Sequence, residues 1–419
     1  MIVTQLNLTD FRNYETAEVG LHAGANLFVG SNGQGKTNLV ESLGYLSSLG
    51  SHRVSTDHAM IRQGATSAII RARLEHGERQ ILAEVQLNRV GANRAQINRA
   101  VIKTRELPRY FSSVLFAPED LALIRAEPGG RRKFLDELLV LRAPRFAGVL
   151  ADYERVVRQR NTLLKSARAS GLKTTQRGTL EIWDDRLVDL GSQLIFAREQ
   201  LVGEMTPEVT QAYIAVAGAD HRATLALRLS ILLTADVDSA ENTESAPTRA
   251  LSSIAEAAEN FRAALTRVSK SELDRGMTLV GPHRDDAILH LNDLPARGYA
   301  SHGESWSFAL ALKLAAAVML RRESALGDPV LMLDDVFAEL DESRRTRLAA
   351  AVHDFEQVLI TAAVYADVPG NLTRNTVHIS QGRILESAPR SDSAPKSESA
   401  PRTESAPRSK SVQGIEAPS

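Results

Sequence analysis

Apolar and polar positions alternate at the start of the chain, with Leu6 and Leu8, then Ala17, Val19 and Leu21, set between polar residues as in half-buried strands. Asn26–Val29 reads as a short buried strand. Beyond Lys36 the period lengthens, and Leu39, Leu43, Leu46 and Leu49 fall on one helical face. Alternation returns at Ala68, Ile70, Ala72 and Leu74 and again at Ile81, Ala83, Val85 and Leu87, with His76-Gly77-Glu78 between them, which predicts a hairpin. From Pro118 the pattern is helical. Trp183, Leu187, Leu190, Leu194, Ala197 and Leu201 make a heptad-like seam, and Phe146, Val149, Tyr153, Val156 and Leu163 make a similar stripe upstream. The polar Gly171–Gly178 stretch between them is expected to be a loop, so the two stripes predict a short antiparallel coiled-coil-like pair. A strongly apolar helix is expected from Ser301 to about Arg322, followed by the apolar strand Val330–Leu333.

Two segments of this pattern carry chemistry. Gly30-Ser31-Asn32-Gly33-Gln34-Gly35-Lys36-Thr37 lies between a strand and a helix and fits the phosphate-binding loop Gly-x-x-x-x-Gly-Lys-Ser/Thr. Its glycines let backbone N–H groups curl around phosphates, Lys36 reaches the terminal phosphates, and the Thr37 hydroxyl is a ligand for Mg²⁺. Val330–Leu333 ends in Asp334 and Asp335, where a metal-holding carboxylate (Asp334) and a water-orienting, catalytic one (Asp335) belong. Most of the chain lies between the two halves. This predicts an ATP- and Mg²⁺-dependent ATPase with a large insertion: an α/β ABC-type P-loop head (lobe I) carrying a mainly helical lobe II. The expected divisions are residues 1–125 and 276–386 for the two halves of the head, 126–275 for lobe II, and 387–419 for a tail.

Ser301-His302-Gly303-Glu304 opens the apolar helix and has the form of a capping box. It lies just upstream of the Asp334-Asp335 strand and offers Ser, Gly and a helix N-terminus, which together make an anion site. In ABC-type ATPases such a signature binds the terminal phosphate of ATP held by the other subunit, and both roles are compatible. Glu339-Leu340-Asp341 is placed like the loop that crosses the dimer interface.

Composition narrows the setting. The chain of 419 residues is 43% hydrophobic and 24% charged, which suits a soluble globular protein of two lobes. It has no cysteine, so disulfides and thiolate chemistry are excluded. Met1-Ile2-Val3-Thr4-Gln5 shows no signal-peptide pattern, and the apolar stretch Ala309–Leu320 is interrupted by Lys313, so a cytoplasmic location with no membrane partner is expected. The net charge of −1 conceals segregation: Arg53–Arg109 and Arg125–Arg168 each hold eleven Lys and Arg against five Asp and Glu. Such stretches suit either a phosphate-facing surface or ordinary solvated faces. Arg12 and His52-Arg53 are candidate DNA or nucleotide contacts, and no further DNA-binding residue is assigned. Asp236–Thr248 reads as a polar inserted loop. Ser-Ala-Pro recurs from Ser387 every six residues, a composition that buries no core and predicts disorder over Ser387–Ser419.

The chain resembles the RecF family of bacterial recombination mediators from Met1 to about Leu385. The resemblance rests on Asp10-Phe11-Arg12-Asn13-Tyr14, the phosphate loop with Gln34, and Phe116-Ala117-Pro118-Glu119-Asp120-Leu121. It rests equally on Arg131-Arg132-Lys133-Phe134-Leu135-Asp136, Gly281-Pro282-His283-Arg284-Asp285-Asp286, and Leu333–Asp341. It implies an ATP-dependent homodimer, binding to duplex and gapped DNA, slow DNA-stimulated hydrolysis, and cooperation with RecR and RecO in loading RecA. The signature Ser301-His302-Gly303-Glu304 departs from the family's usual Ser-Gln-Gly-Gln. The strand Val358–Thr361 leads into Ala362-Ala363 with no switch histidine, and no Mg²⁺-sensing glutamine is evident. An ABC transporter subunit, the first alternative, typically has a Leu-Ser-Gly-Gly signature and that histidine. An SMC-like chromosome-structural protein, the second, needs far longer arms. Gly281–Asp286 contains potential metal ligands but no matching cluster elsewhere, and reads as a polar turn.

Overall fold

The computed structural model describes residues 1–171, 174–233 and 250–385. The polar loop expected at Asp236–Thr248 and the Ser-Ala-Pro tail lie outside the described residues.

The chain begins with the hairpin β1 (Ile2–Phe11) and β2 (Tyr14–Gly20), then β3 (Gly24–Val29) and α1 (Lys36–Ser48). Next come β4 (Ser67–His76), β5 (Arg79–Asn88), β6 (Arg94–Ile97) and β7 (Ala100–Ile102). Except for β3 these strands form one antiparallel sheet, ordered β2-β1-β4-β5-β6-β7. A register shift between Val3 and Gln5 changes the phase of β1, so Val3, Leu6 and Leu8 all reach the core although their numbers differ in parity.

The helical region follows β8 (Ser113–Phe116): α2 (Leu121–Arg125), α3 (Pro128–Arg142), α4 (Arg145–Ser170), α5 (Thr174–Ala217), β9 (Thr224–Arg228) and α6 (Ile254–Arg275). Arg160 of α4 meets Asp184 of α5, and Tyr153 meets Gly191, so contacts run backwards along α5 as they run forwards along α4. The pair is therefore antiparallel, and its seam residues Leu187, Leu194 and Leu201 are buried. Two features differ from the expectation. Helix α5 takes in Thr174–Gly178, so the connection is shorter than the polar composition suggested; a helix packed further along propagates cheaply into a polar stretch. It also runs sixteen residues beyond Leu201, through Pro207. Interior proline costs about 3 kcal/mol, but Val209, Tyr213 and Val216 beyond it are fully buried, which offsets that cost. The pair is joined by a third helix: buried Arg160 pairs with Asp184 of α5 and Glu272 of α6, both at 2.6 Å.

The chain returns through β10 (Asp286–Leu291), β11 (Leu294–Pro295), the short kinked α7 (Ala296–Tyr299), α8 (His302–Glu323), β12 (Val330–Asp334), α9 (Glu342–Val352), β13 (Gln357–Ala362), β14 (Asn375–Ser380) and β15 (Arg383–Leu385). A small sheet β11-β10-β9 joins the helical region to this last third. The central sheet, β15-β14-β3-β13-β12-β8, is parallel apart from β15 and brings together strands from both ends of the chain. Every residue of β12 and β13 is buried, as a sheet covered on both faces requires. Val330 and Met332 face the core shared with α1 and the antiparallel sheet, while Leu331 and Leu333 face the helical core. Helix α8 is apolar on nearly all sides and long enough to cross a membrane, but it is mostly buried inside the protein, as a central core helix is.

Candidate active site

Strand β3 delivers the chain into the phosphate loop, and the loop's glycines have definite reasons. A Cβ on Gly30 would lie 2.2 Å from the Ile379 carbonyl oxygen, while Gly35 adopts φ +117° with Tyr14 against it. Gly35 also precedes α1 with no side-chain cap, which leaves the first N–H groups of the helix available to an anion. Lys36 is buried and its Nζ donates to the Ser31 carbonyl at 3.3 Å. The loop is clamped from outside: Asn13 Nδ2 donates to the Gln34 carbonyl at 3.0 Å and the Tyr14 hydroxyl to the Gly35 carbonyl at 3.1 Å. The Gln34 side chain accepts from the Gln381 N–H at 2.5 Å. Asn13 and Tyr14 carried the family resemblance, but their task of holding the loop was not evident from sequence. Arg12, a candidate DNA or nucleotide contact, instead forms a two-pronged pair with buried Glu41 of α1 at 2.7 and 2.5 Å.

The carboxylate strand closes on this loop. Thr37 Oγ1 donates to Asp334 Oδ1 at 2.9 Å, and Thr361 Oγ1 donates to the same oxygen at 2.6 Å. The Thr361 hydroxyl in turn accepts from the Asp335 N–H at 2.9 Å. No sequence motif marks Thr361; its signal is a hydroxyl at the end of a parallel strand, in register with Asp334 of β12. Asp335 takes a left-handed backbone conformation, φ 51°, unusual for a non-glycine residue and found at functional turns. Its Oδ1 is buried without a hydrogen-bond partner. Burial pushes the Asp334 carboxyl up to about 6, Asp335 and Glu119 add to the rise, and the two threonine hydroxyls oppose it. A buried carboxylate among hydroxyl oxygens, destabilised in its charged form and beside an unsatisfied second carboxylate, is a hard-oxygen donor set that fits Mg²⁺.

Two further groups border the carboxylates. Glu119 follows β8, whose Phe116 is in register with Leu333, so it stands near Asp334 where no glutamine was found. His52, from the loop after α1, has Nε2 3.9 Å from Asp334 Oδ2. Neighbouring Arg53 donates to Asn38 Oδ1 at 3.0 Å.

At the head of α8, Ser301 makes both halves of its capping box: Oγ accepts from the Glu304 N–H at 3.3 Å, and Glu304 Oε2 accepts from the Ser301 N–H at 2.8 Å. Ser301 and His302 are exposed. Gly303 lies against Arg344, whose guanidinium would be 2.8 Å from an added Cβ. Arg344 also donates to Ser307 Oγ at 3.1 Å and to Asp341 at 2.6 Å. The signature and the Glu339–Asp341 loop, whose two acids are exposed while Leu340 is buried, are thus tied together by one arginine. Asp341 caps α9, and its hydrogen bonds to Ser343 and Arg344 hold its carboxyl down to about 2.

Gly281, Pro282, Asp285 and Asp286 are buried while Arg284 is exposed, and the two aspartates are engaged inside the protein. Asp286 pairs with Arg131 at 2.8 Å, Arg132 donates to the Asp285 carbonyl at 2.8 Å, and Arg198 bridges Asp136 and the Pro282 carbonyl. The two motifs Arg131–Asp136 and Gly281–Asp286 therefore meet in one network. Among the described residues no cluster of acids and histidines suits a metal ion there. Part of the basic stretch Arg125–Arg168 is likewise internal, Arg131 and Arg160 being buried.

A family model for the RecF/RecN/SMC N-terminal domain matches residues 2–373. The DNA replication and repair protein RecF of Clavibacter michiganensis subsp. michiganensis is 62% identical over 395 residues, covering 94% of this chain and 98% of that protein. The chain belongs to the RecF family. RecF of Leifsonia xyli subsp. xyli is similar at 63% identity over 386 residues, covering 92% of this chain and all of that one. Among solved structures, that of the recombination mediator protein RecF-ATP in the RecFOR pathway is similar at 26% identity with a TM-score of 0.80, covering 92% of this chain and 97% of that chain. The RecF fold is the α/β ABC-type ATPase head, and the site built from Gly30–Thr37 and Asp334-Asp335 lies within it.

Proposed function

We propose that this RecF-family protein binds ATP with Mg²⁺, closes into a head-to-head homodimer on duplex or gapped DNA, and hydrolyses the nucleotide slowly, with DNA stimulating the reaction. The observation that carries this reading is the Thr37–Asp334 hydrogen bond beside buried Lys36. Bound Mg²⁺ would neutralise phosphate charge, and Thr37 and Asp334 are the residues to hold it. The loop N–H groups and Lys36 bind the phosphates, and Asp335 orients the attacking water. Ser301, His302, Gly303 and Glu304 complete the partner's site, with Glu339 and Asp341 alongside at the interface. Two nucleotides then lie in one self-complementary interface.

The RecF names and the RecFOR context of the similar structure support a role in DNA replication and repair with RecR and RecO as partners; loading of RecA at gaps is the further step that membership of the family implies. The work is that of a cytoplasmic protein. Lys36→Met tests the nucleotide reading. Losing a charge-assisted contact should cost about 1.5–3 kcal/mol, or roughly ten- to a hundred-fold in ATP affinity, with the circular dichroism spectrum intact. Unchanged affinity in a folded variant removes the assignment.

A further inference from the structure

We propose that His52 is a positioning residue for Asp334, donating from Nε2 toward Oδ2 and so fixing the carboxylate that holds Mg²⁺. This rests on the nucleotide reading above and adds a residue to it.

Three observations carry it. The hydroxyls of Thr37 and Thr361 both reach Asp334 Oδ1, whereas the His52 ring faces Oδ2 at 3.9 Å. His52 Nε2 is buried and has no hydrogen-bond partner, a condition a donor tolerates only where a partner comes within reach. The loop that carries it is pinned on both sides. Ser51 Oγ donates to Glu41 Oε1 at 2.5 Å and accepts from the N–H groups of Arg53 and Val54 at 2.9 and 3.2 Å. Arg53 is held in turn by Asn38 of α1. The ring therefore approaches Asp334 from a fixed frame, and a sub-ångström closure makes the hydrogen bond.

No histidine follows β13, where the chain reads Ala362-Ala363. Here the imidazole comes from the loop that follows the phosphate-loop helix. Groups that orient a metal-holding side chain typically change metal affinity ten- to a hundred-fold when removed.

The test is binding of the slowly hydrolysed analogue ATPγS to the full chain, titrated with Mg²⁺ and compared with binding in excess EDTA. His52→Leu should leave the EDTA affinity and the melting temperature near wild type, and raise the Mg²⁺ midpoint about tenfold. His52→Gln, which keeps an N–H near the Nε2 position, should recover most of the difference and covers the case in which the leucine variant folds poorly. An unchanged Mg²⁺ midpoint in both variants overturns the proposal. So does an affinity loss of equal size with and without Mg²⁺, which would make His52 merely structural. If wild type itself binds no ATPγS, the nucleotide reading fails first, and His52 falls with it.

Discussion

Thr37 and Asp334, 297 residues apart, share a 2.9 Å hydrogen bond from the threonine hydroxyl to the carboxylate. That contact fixes how the two ends of the chain are assembled. The strand before the phosphate loop and the strand ending in the carboxylates flank β13, so one parallel sheet presents both at the same edge.

Asp335→Asn should separate binding from turnover. The amide keeps the size but removes the charge next to the buried Asp334, so ATP and Mg²⁺ should still bind while hydrolysis falls by at least ten-fold, by analogy with the loss of a positioned general base. The variant should accumulate as an ATP-bound dimer. Wild-type turnover, measured by phosphate release under saturating ATP, would assign the water to another group.

Thr361→Val removes a hydroxyl of two uses. It donates to Asp334 and accepts from the Asp335 N–H, so valine leaves a buried donor unsatisfied. A stability loss of about 1–3 kcal/mol is expected from that alone. Turnover should fall more than ATP affinity, because the loop and Lys36 are untouched. A variant with wild-type urea midpoint and turnover would show that the Asp334-Asp335 turn holds itself.

The pH dependence of stability has a named contributor in Asp285. Burial raises its carboxyl from 3.8 to about 6, although Ser230 donates to Oδ1 twice, and Oδ2 has no partner. The folded protein binds this proton more tightly than the unfolded chain. The contribution is therefore complete below the unfolded value near 4 and is lost as pH rises through about 6. His283, lowered to about 4 by burial, works oppositely and loses its contribution as pH falls below its ordinary 6.5. Comparing wild type with Asp285→Asn cancels the histidine. The variant should gain on wild type between pH 4 and 7, by about 1–3 kcal/mol, in thermal melts across that range. A pH-independent difference would mean that Asp285 titrates normally.

Much of this site was legible because its signals are local. Gly30–Thr37 sits between a strand and a helix, and the apolar run into Asp334 can only be a buried strand. What was not legible depends on which strands become neighbours. Thr361 matters because β13 lies beside β12, Asn13 and Tyr14 because a hairpin turn folds over the phosphate loop, and Arg344 because α9 returns to the signature. Each partner is distant in sequence, so no periodicity reports it. The Gly281–Asp286 turn reads as polar by composition; its partners Arg131, Arg132 and Arg198 come from helices far upstream. The Pro207 helix shows the opposite case, in which tertiary burial overrides a local breaker.

The claim that the Ser301 helix start completes the site of a second chain is tested most directly by sedimentation velocity of Ser301→Arg with and without ATP. The capping box is formed in the single chain, so any change at Ser301 should cost ~1 kcal/mol of stability. Ser301→Ala controls for that cost, because it loses the cap but leaves room for a phosphate. The account predicts that Ser301→Arg still binds ATP through its own Gly30–Thr37 loop yet sediments as a monomer with ATP present. Ser301→Ala should retain ATP-dependent dimer, and mixing Ser301→Arg with Lys36→Met chains should restore it in part, through one intact composite site. An ATP-induced dimer of Ser301→Arg, equal to wild type, would contradict the account and leave Ser301 only its cap.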